Sequence, residues 1–341
     1  VGSAAMALLL HELGHSAALG HSHDTSFRSS VLPGVNDAYD AGDFGFNAKI
    51  YTLMSYNSGP FDGYSDVVYR SQIEALGTLD IAALQALYGA NMSYRTGADT
   101  YGLPTGVLSI WDAGGQDRID FGTANQDATI DLRAATLEVE EGGAGRPSFV
   151  GSDPGSNGAY LIAYGAVIEE AICGNGRDWV ELGNGIVRFS DTAQGGIEGR
   201  DTVVAGAGRD TIQGGNGDDV FYGQNGHDLI LGRLGADQIF GGDGYDTLHG
   251  GDGHDRVTGG NGRDVSYLGS GNDLFNDNAQ GGVHGHDTVF AGDGHDTIQG
   301  GNGNDSFHGQ AGNDLIKARY GADKILGGTG IDTLKGGEGY D

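Results

Sequence analysis

In the second half of the chain, apolar residues recur singly at a fixed interval: Val203, Ile212, Phe221, Ile230, Ile239, Leu248 and Val257, then Phe275, Val289, Ile298, Phe307, Ile316, Ile325 and Leu334. Each stands two residues after an aspartate, and Ser266 is the one polar substitute. The aspartates form a series at nine-residue steps: Asp201, Asp210, Asp219, Asp228, Asp237, Asp246, Asp255, Asp264 and Asp273. After one step of fourteen the series resumes at Asp287, Asp296, Asp305, Asp314, Asp323 and Asp332 and runs to Asp341. A longer period lies above this one. "DTAQGGIEGRDTVVAGAGRDTIQGGNGDD" returns 86 residues later as "DNAQGGVHGHDTVFAGDGHDTIQGGNGND", and Asp178 has its counterpart in Asp264.

Nine residues of this kind predict a loop followed by a short strand. The glycines before each aspartate reach positive φ without penalty, so about six residues can turn sharply. The next three are then extended, with the apolar side chain pointing inward. Each nonapeptide makes half a turn of a coil and eighteen residues make a full turn. Successive turns stack as parallel strands, because the coil itself supplies the crossover. The aspartates fall in rows on both edges of the coil and repel one another unless a cation neutralises them. Hard oxygen ligands at this density suit calcium, with loop carbonyls and aspartates one full turn apart completing the shell. The plainer alternative is that the aspartates only cap turns.

The rest of the chain divides into two further parts. Residues 1–90 have mixed composition and close on "TLDIAALQALYGAN", a predicted helix. Thr78 or Asp80 can cap it, Ile81, Leu84 and Leu87 or Tyr88 make its apolar face, and Gly89 ends it. Residues 91–172 read as strands and turns. "GVLSIWDAGGQDRIDFG" has strand-like runs around a Gly-rich turn, and "AYLIAYGAVIEEAI" alternates loosely. The expected fold is mainly β, with the repeat region at 173–341.

Composition narrows the function. Of 341 residues, 67 are glycine and only 5 proline, which suits an ordered, turn-rich chain and not collagen. The formal net charge of −29 repels phosphate backbones and anionic lipid, so nucleic acid is excluded as a partner and cations are expected. A single cysteine, Cys173, forms no internal disulfide, which fits the cytosol or a secreted chain stapled by calcium. No apolar run is long enough to span a membrane. The opening "VGSAAMALLL" reads as the first turns of a helix that continues into the next motif.

That motif is "HELGHSAALGHSH". His11 and His15 share one helix face, and neutral imidazoles at this spacing bind one zinc ion. Glu12 is placed to act as general base on a water that the metal activates. His21 comes from beyond the helix end as the third ligand, with His23 as an alternative, and a fourth position stays open. Further on, "YTLMSYN" places Met54 in a tight segment with Tyr56 two residues later. A methionine there packs into a core or forms the Met-turn that follows a three-histidine zinc motif.

The zinc helix, Met54 segment and nonapeptides, in this order, resemble the serralysins, secreted metzincin proteases whose repeats form the RTX β-roll. "DIAALQALYGAN" and "WDAGGQDRIDF" look like that family too, so the resemblance covers essentially the whole chain. It implies the C-terminal part of an α+β metzincin domain over 1–90, a β-rich calcium-binding connecting region over 91–172, and the parallel β-roll over 173–341. It implies one catalytic zinc ion on His11, His15 and His21, Glu12 as general base, Met54 in the Met-turn and Tyr56 assisting at the oxyanion. Several structural calcium ions are implied as well. Beyond the repeats these would use carbonyls of Arg95 and Gly97 with Asp99, Asp112, Gly114 and Asp117, and a second set including Glu169. The activity implied is peptide-bond hydrolysis of protein or peptide substrates by a monomeric, extracellular enzyme exported by type I machinery. Ala18 stands where the family has glycine. The family also has a lobe ahead of the zinc helix and a segment after the repeats, so the chain is expected to be an internal piece of a longer protein. A calcium-binding surface or adhesion module with an inert peptidase remnant is the competing expectation.

Overall fold

Loop-and-strand repeats of nine residues build most of the computed structural model. The structure describes residues 76–341 except 137, 139–142, 144, 153, 155–156, 192–198 and 278–284. The zinc helix and Met54 segment therefore lie outside the described residues. The chain divides into two compact units, one of Val1–Phe121 with Gln126–Ile168, the other of Gly122–Asn125 with Glu169–Asp341.

In the first unit, helix α1 (Thr78–Tyr88) begins after Gly77, whose N–H is accepted by the Asp80 carboxylate at 2.9 Å. It ends at Gly89, which at φ 82° donates its N–H to the Gln85 carbonyl. Its expected apolar face is only partly covered: Leu87 and Tyr88 are 55% and 69% exposed. Among the described residues, Ile81, Leu84 and Tyr88 line a cavity. The strands are β1 (Thr100–Tyr101), β2 (Val107–Ile110), β3 (Arg118–Asp120), β4 (Ala128–Asp131), β5 (Phe149–Val150) and β6 (Ala159–Ile162). Strands β1 and β3 pair in parallel, as do β2 and β6, while β4 and β5 are antiparallel. Strand β6 is buried along its whole length, so its faces do not alternate as its sequence suggested.

The second unit is a parallel β-roll of two sheets. One runs Glu170–Cys173, Arg188–Asp191, Thr211–Gln213, Leu229–Leu234, Thr247–Asp252, Val265–Ser270, Thr288–Asp293, Ser306–Ala311 and Lys324–Thr329. The other runs Trp179–Glu181, Thr202–Gly208, Val220–Gly226, Gln238–Gly244, Arg256–Gly262, Leu274–Asn276, Thr297–Gln299, Leu315–Tyr320 and Thr333–Glu338. Consecutive nonapeptides alternate between the sheets, as the spacing predicted. The register is eighteen residues per coil, so Val220 pairs with Gln238 and Phe221 with Ile239. The 86-residue duplication spans nine half-turns. Ile212 therefore lies in the first sheet and its counterpart Ile298 in the second.

The repeated inward residues from Val203 to Ile316 form a thin, almost fully buried core of single side chains. Burying each such side chain contributes about 1.5–3 kcal/mol. On the outer side, in-register pairing sets identical positions one strand spacing apart. His249, Tyr267, Phe290 and His308 consequently stack ring on ring at 4.7, 5.1 and 4.7 Å. Glycine is required at the tightest points: at Gly244, φ 151°, a Cβ would collide with the Gly226 carbonyl one coil earlier.

Ser266, paired with Leu248 and Val289, breaks the apolar series. Leu268 compensates by filling the next inward position, where most repeats have glycine. The Ser266 hydroxyl is fully buried and has no hydrogen-bond partner. An unsatisfied buried hydroxyl costs about 1–3 kcal/mol. Ser266→Ala is therefore expected to raise stability by about 1 kcal/mol in urea unfolding with calcium present; a loss of stability would contradict this account.

Candidate metal centres

The repeat aspartates occupy the last position before each strand, where the loop backbone turns back into the sheet. Each gives one oxygen to the neighbouring coil. The Oδ1 of Asp219 accepts the Asp201 N–H at 2.8 Å, Asp237 accepts from Asp219 at 2.9 Å, and Asp255 accepts from Asp237 at 2.9 Å. On the opposite edge Asp228 accepts from Asp210, Asp246 from Asp228, and Asp264 from Asp246. The pattern crosses the longer loops, where one coil is 23 residues instead of 18: Asp201 accepts from Asp178, Asp287 from Asp264, and Asp296 from Asp273. It continues through Asp305, Asp314, Asp323 and Asp332, the last accepting from Asp314 at 3.0 Å near the end of the coil.

The other oxygen is what marks these sites. The Oδ2 atoms of Asp210, Asp219, Asp228, Asp237, Asp246, Asp255, Asp264, Asp273, Asp287, Asp296, Asp305, Asp314 and Asp323 are buried with no hydrogen-bond partner. Turn capping alone leaves no reason to bury that second oxygen. Burial, reinforced by neighbouring aspartates, pushes the carboxyl of Asp201 up to about 9 and those of Asp237 and Asp287 to about 8. Asp264 is raised to about 7, and Asp210, Asp246, Asp255 and Asp296 to about 6. Two rows of buried carboxylate oxygens without donors fit a hard divalent cation such as calcium, which would take these oxygens together with loop carbonyls.

A separate cluster lies in the first unit. Asp99, Asp112 and Asp117 present carboxylate oxygens within 4.8 Å of one another, the one such group among the described residues. Asp117 Oδ1 accepts the Asp99 N–H at 2.7 Å. Asp112 accepts from Gly114 N–H at 3.2 Å and from the Tyr101 hydroxyl at 2.7 Å. Burial, and then that bond to Asp112, raise the Tyr101 phenol above its usual range. The Gly97 carbonyl approaches Gly115, φ 154°, so closely that a Cβ there would collide with it. Three carboxylates and converging loop backbone again suit a hard cation. Glu169 is partly buried, and its backbone carbonyl accepts the Arg188 N–H. His11, Glu12, His15, His21, Met54 and Tyr56 lie outside the described residues.

Two buried acids escaped the nine-residue reading. Asp191 and Asp277, related by the duplication, point inward where most repeats have glycine, just before each long loop. Each adds repulsion to aspartates of the series, Asp191 to Asp201 and Asp219, Asp277 to Asp264, Asp287 and Asp305. Aligning the two copies against the other repeats would have exposed them.

These shifts set a pH dependence. Each carboxyl is raised in the folded state above its unfolded value near 4, so the calcium-free fold holds more protons than the unfolded chain between the two values. Its stability is then greatest below about pH 4 and is lost as pH rises through about 6 to 9. Circular dichroism in chelator should show β-structure at acid pH that fades across that window and returns on adding calcium at neutral pH. A calcium-free fold that gains stability with rising pH would contradict the burial of these carboxylates.

Comparison with known proteins bears on the C-terminal half of the chain. Residues 195–230, 231–266, 246–275, 281–316 and 318–341 match the RTX calcium-binding nonapeptide repeat. Serralysin G of Dickeya chrysanthemi is 36% identical over 193 residues, covering 52% of this chain and 35% of that protein. Serralysin of Proteus mirabilis is 34% identical over 187 residues, 50% of this chain and 34% of the relative. Metallopeptidase AprA of Pseudomonas marginalis is 33% identical over 193 residues, 52% and 36% respectively. The chain thus spans about a third of the length of these curated relatives. Over half of its length the chain is a homologue of the serralysins, and its repeat region carries RTX calcium-binding nonapeptides.

Proposed function

We propose that the chain is the zinc-helix and calcium-binding portion of a secreted zinc metalloendopeptidase. The observation that carries this is the sequence motif "HELGH" with His21 and Met54 in a chain homologous to serralysins. His11 and His15, four residues apart, would hold zinc from one helix face, with His21 as third ligand. A zinc ion held there would supply Lewis acidity. Glu12 would act as the general base on an attacking water and hand the proton to the leaving amine. Tyr56 hydrogen-bonds the oxyanion that develops on the substrate. Residues 1–90 would form the catalytic part, 91–172 the connecting region and 173–341 the β-roll.

Calcium supports the enzyme and does not take part in its chemistry. The Oδ2 rows and the Asp99, Asp112 and Asp117 cluster would bind it, together with a set including Glu169. Where calcium is scarce, carboxylate repulsion keeps the repeats unfolded and fit for type I export. Outside the cell, calcium binding adds its free energy to folding. The enzyme acts as a monomer on protein or peptide substrates. The reading as an adhesion module has less support, since the relatives are named as peptidases.

Glu12→Gln in the zinc-loaded, full-length protein is expected to lower casein hydrolysis by about 100-fold or more while zinc content stays unchanged. Retention of activity in that variant, or a zinc-loaded parent that cleaves no protein, would refute the assignment.

A further inference from the structure

We propose that the cavity of the first unit binds an aromatic group bearing a carboxylate, the chemistry of an apolar peptide's C-terminal residue. The cavity encloses about 820 Å³, room for a ligand of dipeptide size. Its walls are mostly ring and hydrocarbon, with Leu84 from α1, Ile110 and Trp111 at the end of β2, and Tyr101 and Tyr160. The rings of Tyr101 and Tyr160 meet edge to face at 5.8 Å, so the wall presents aromatic surface to a ligand ring.

Beside hydroxyl and amide groups of Asn91, Thr100 and Ser109, this wall presents two nitrogen donors, Arg95 and Gln85. Arg95 lines the cavity with its guanidinium exposed, 5.7 Å from the ring centroid of Tyr94 and 5.2 Å from that of Tyr101. Its backbone lies at φ 47°, a left-handed conformation that side-chain-bearing residues rarely adopt. In a chain of net charge −29, a cation held at an apolar mouth selects an anion that brings an apolar body with it. The Nε2 of Gln85, in the same wall, is buried with no hydrogen-bond partner, a second donor awaiting an acceptor. An amine of the same shape would meet two donors and a positive charge and be rejected.

The wall is also fixed in advance. The Tyr101 hydroxyl donates to Asp112, a member of the carboxylate cluster, so a cation there would lock the ring that Arg95 lies over. A pre-set wall spares the ligand the entropy of ordering it. The proposal stands apart from the zinc reading, because none of these residues belongs to the histidine set.

The chain has two tryptophans, and Trp111 lines the cavity, so its fluorescence reports occupancy. Titration of the calcium-loaded full chain with N-acetylphenylalanine should give saturable quenching. N-acetylphenylalanine amide should bind at least about tenfold more weakly, and Arg95→Gln should bring the acid down to the level of the amide. Trp111→Phe should abolish the quenching while calorimetry still detects binding. Equal affinity for acid and amide in the unaltered protein would overturn the proposal without recourse to any variant. So would the absence of saturable binding at millimolar ligand, or an Arg95→Gln protein with unchanged affinity for the acid and an unchanged near-ultraviolet dichroism spectrum.

Discussion

The β-roll depends on one contact repeated along both edges: an aspartate oxygen that accepts the backbone N–H of the aspartate one coil before it. That contact sets the coil's pitch and register, since the N–H groups of adjacent turns lie in line only when the strands pair residue for residue. It also drags the second oxygen into the interior, where no donor meets it. The same carboxylate that aligns the turns is thus the group whose charge opposes them. The apolar core is one side chain thick, and it is too slight to override that opposition without help. A cation at each edge resolves it, and this makes the metal part of the architecture.

The first unit solves the same problem at smaller scale and less regularly. Asp99, Asp112 and Asp117 converge from separate turns, and Tyr101 ties one of them to the aromatic wall beside it. Here a carboxylate cluster adjoins a cavity, and the Tyr101 ring borders both. The large exposed rings of this region, Tyr88 and Tyr94 among them, line that cavity.

How much the sequence disclosed follows from how each feature is encoded. The β-roll was legible because period, turn chemistry and inward residue agree in nearly every repeat, so strand placement needs no knowledge of distant contacts. The role of each aspartate's two oxygens was not legible, because it arises only when coils stack. Helical spacing shows which residues of α1 are apolar and not what they meet. Strand β6 lost its alternation to burial on both sides. Asp191 and Asp277 were hidden by their position at a glycine site, outside the aspartate series. Ser266 showed as an exception at once, yet its partner Leu268 emerged only from the inward pairing. The histidine motif carries its meaning in local spacing, which is why it could be read without a view of its surroundings.

The duplication spans nine half-turns, an odd number, and this has a consequence for how such a chain lengthens. Residues of one copy reappear on the opposite sheet in the other, and the two aspartate rows exchange edges, Asp201 matching Asp287 and Asp210 matching Asp296. Copying such a block is harmless only if the two faces and the two edges are chemically interchangeable, because every residue must serve equally well on either side. The coil therefore has an approximate two-fold screw axis along its length. Gene segments of any whole number of nonapeptides, odd or even, can be added without rewriting the interior. Features that require a particular side, such as the outer stack of His249, Tyr267, Phe290 and His308, must arise by later substitution within one copy.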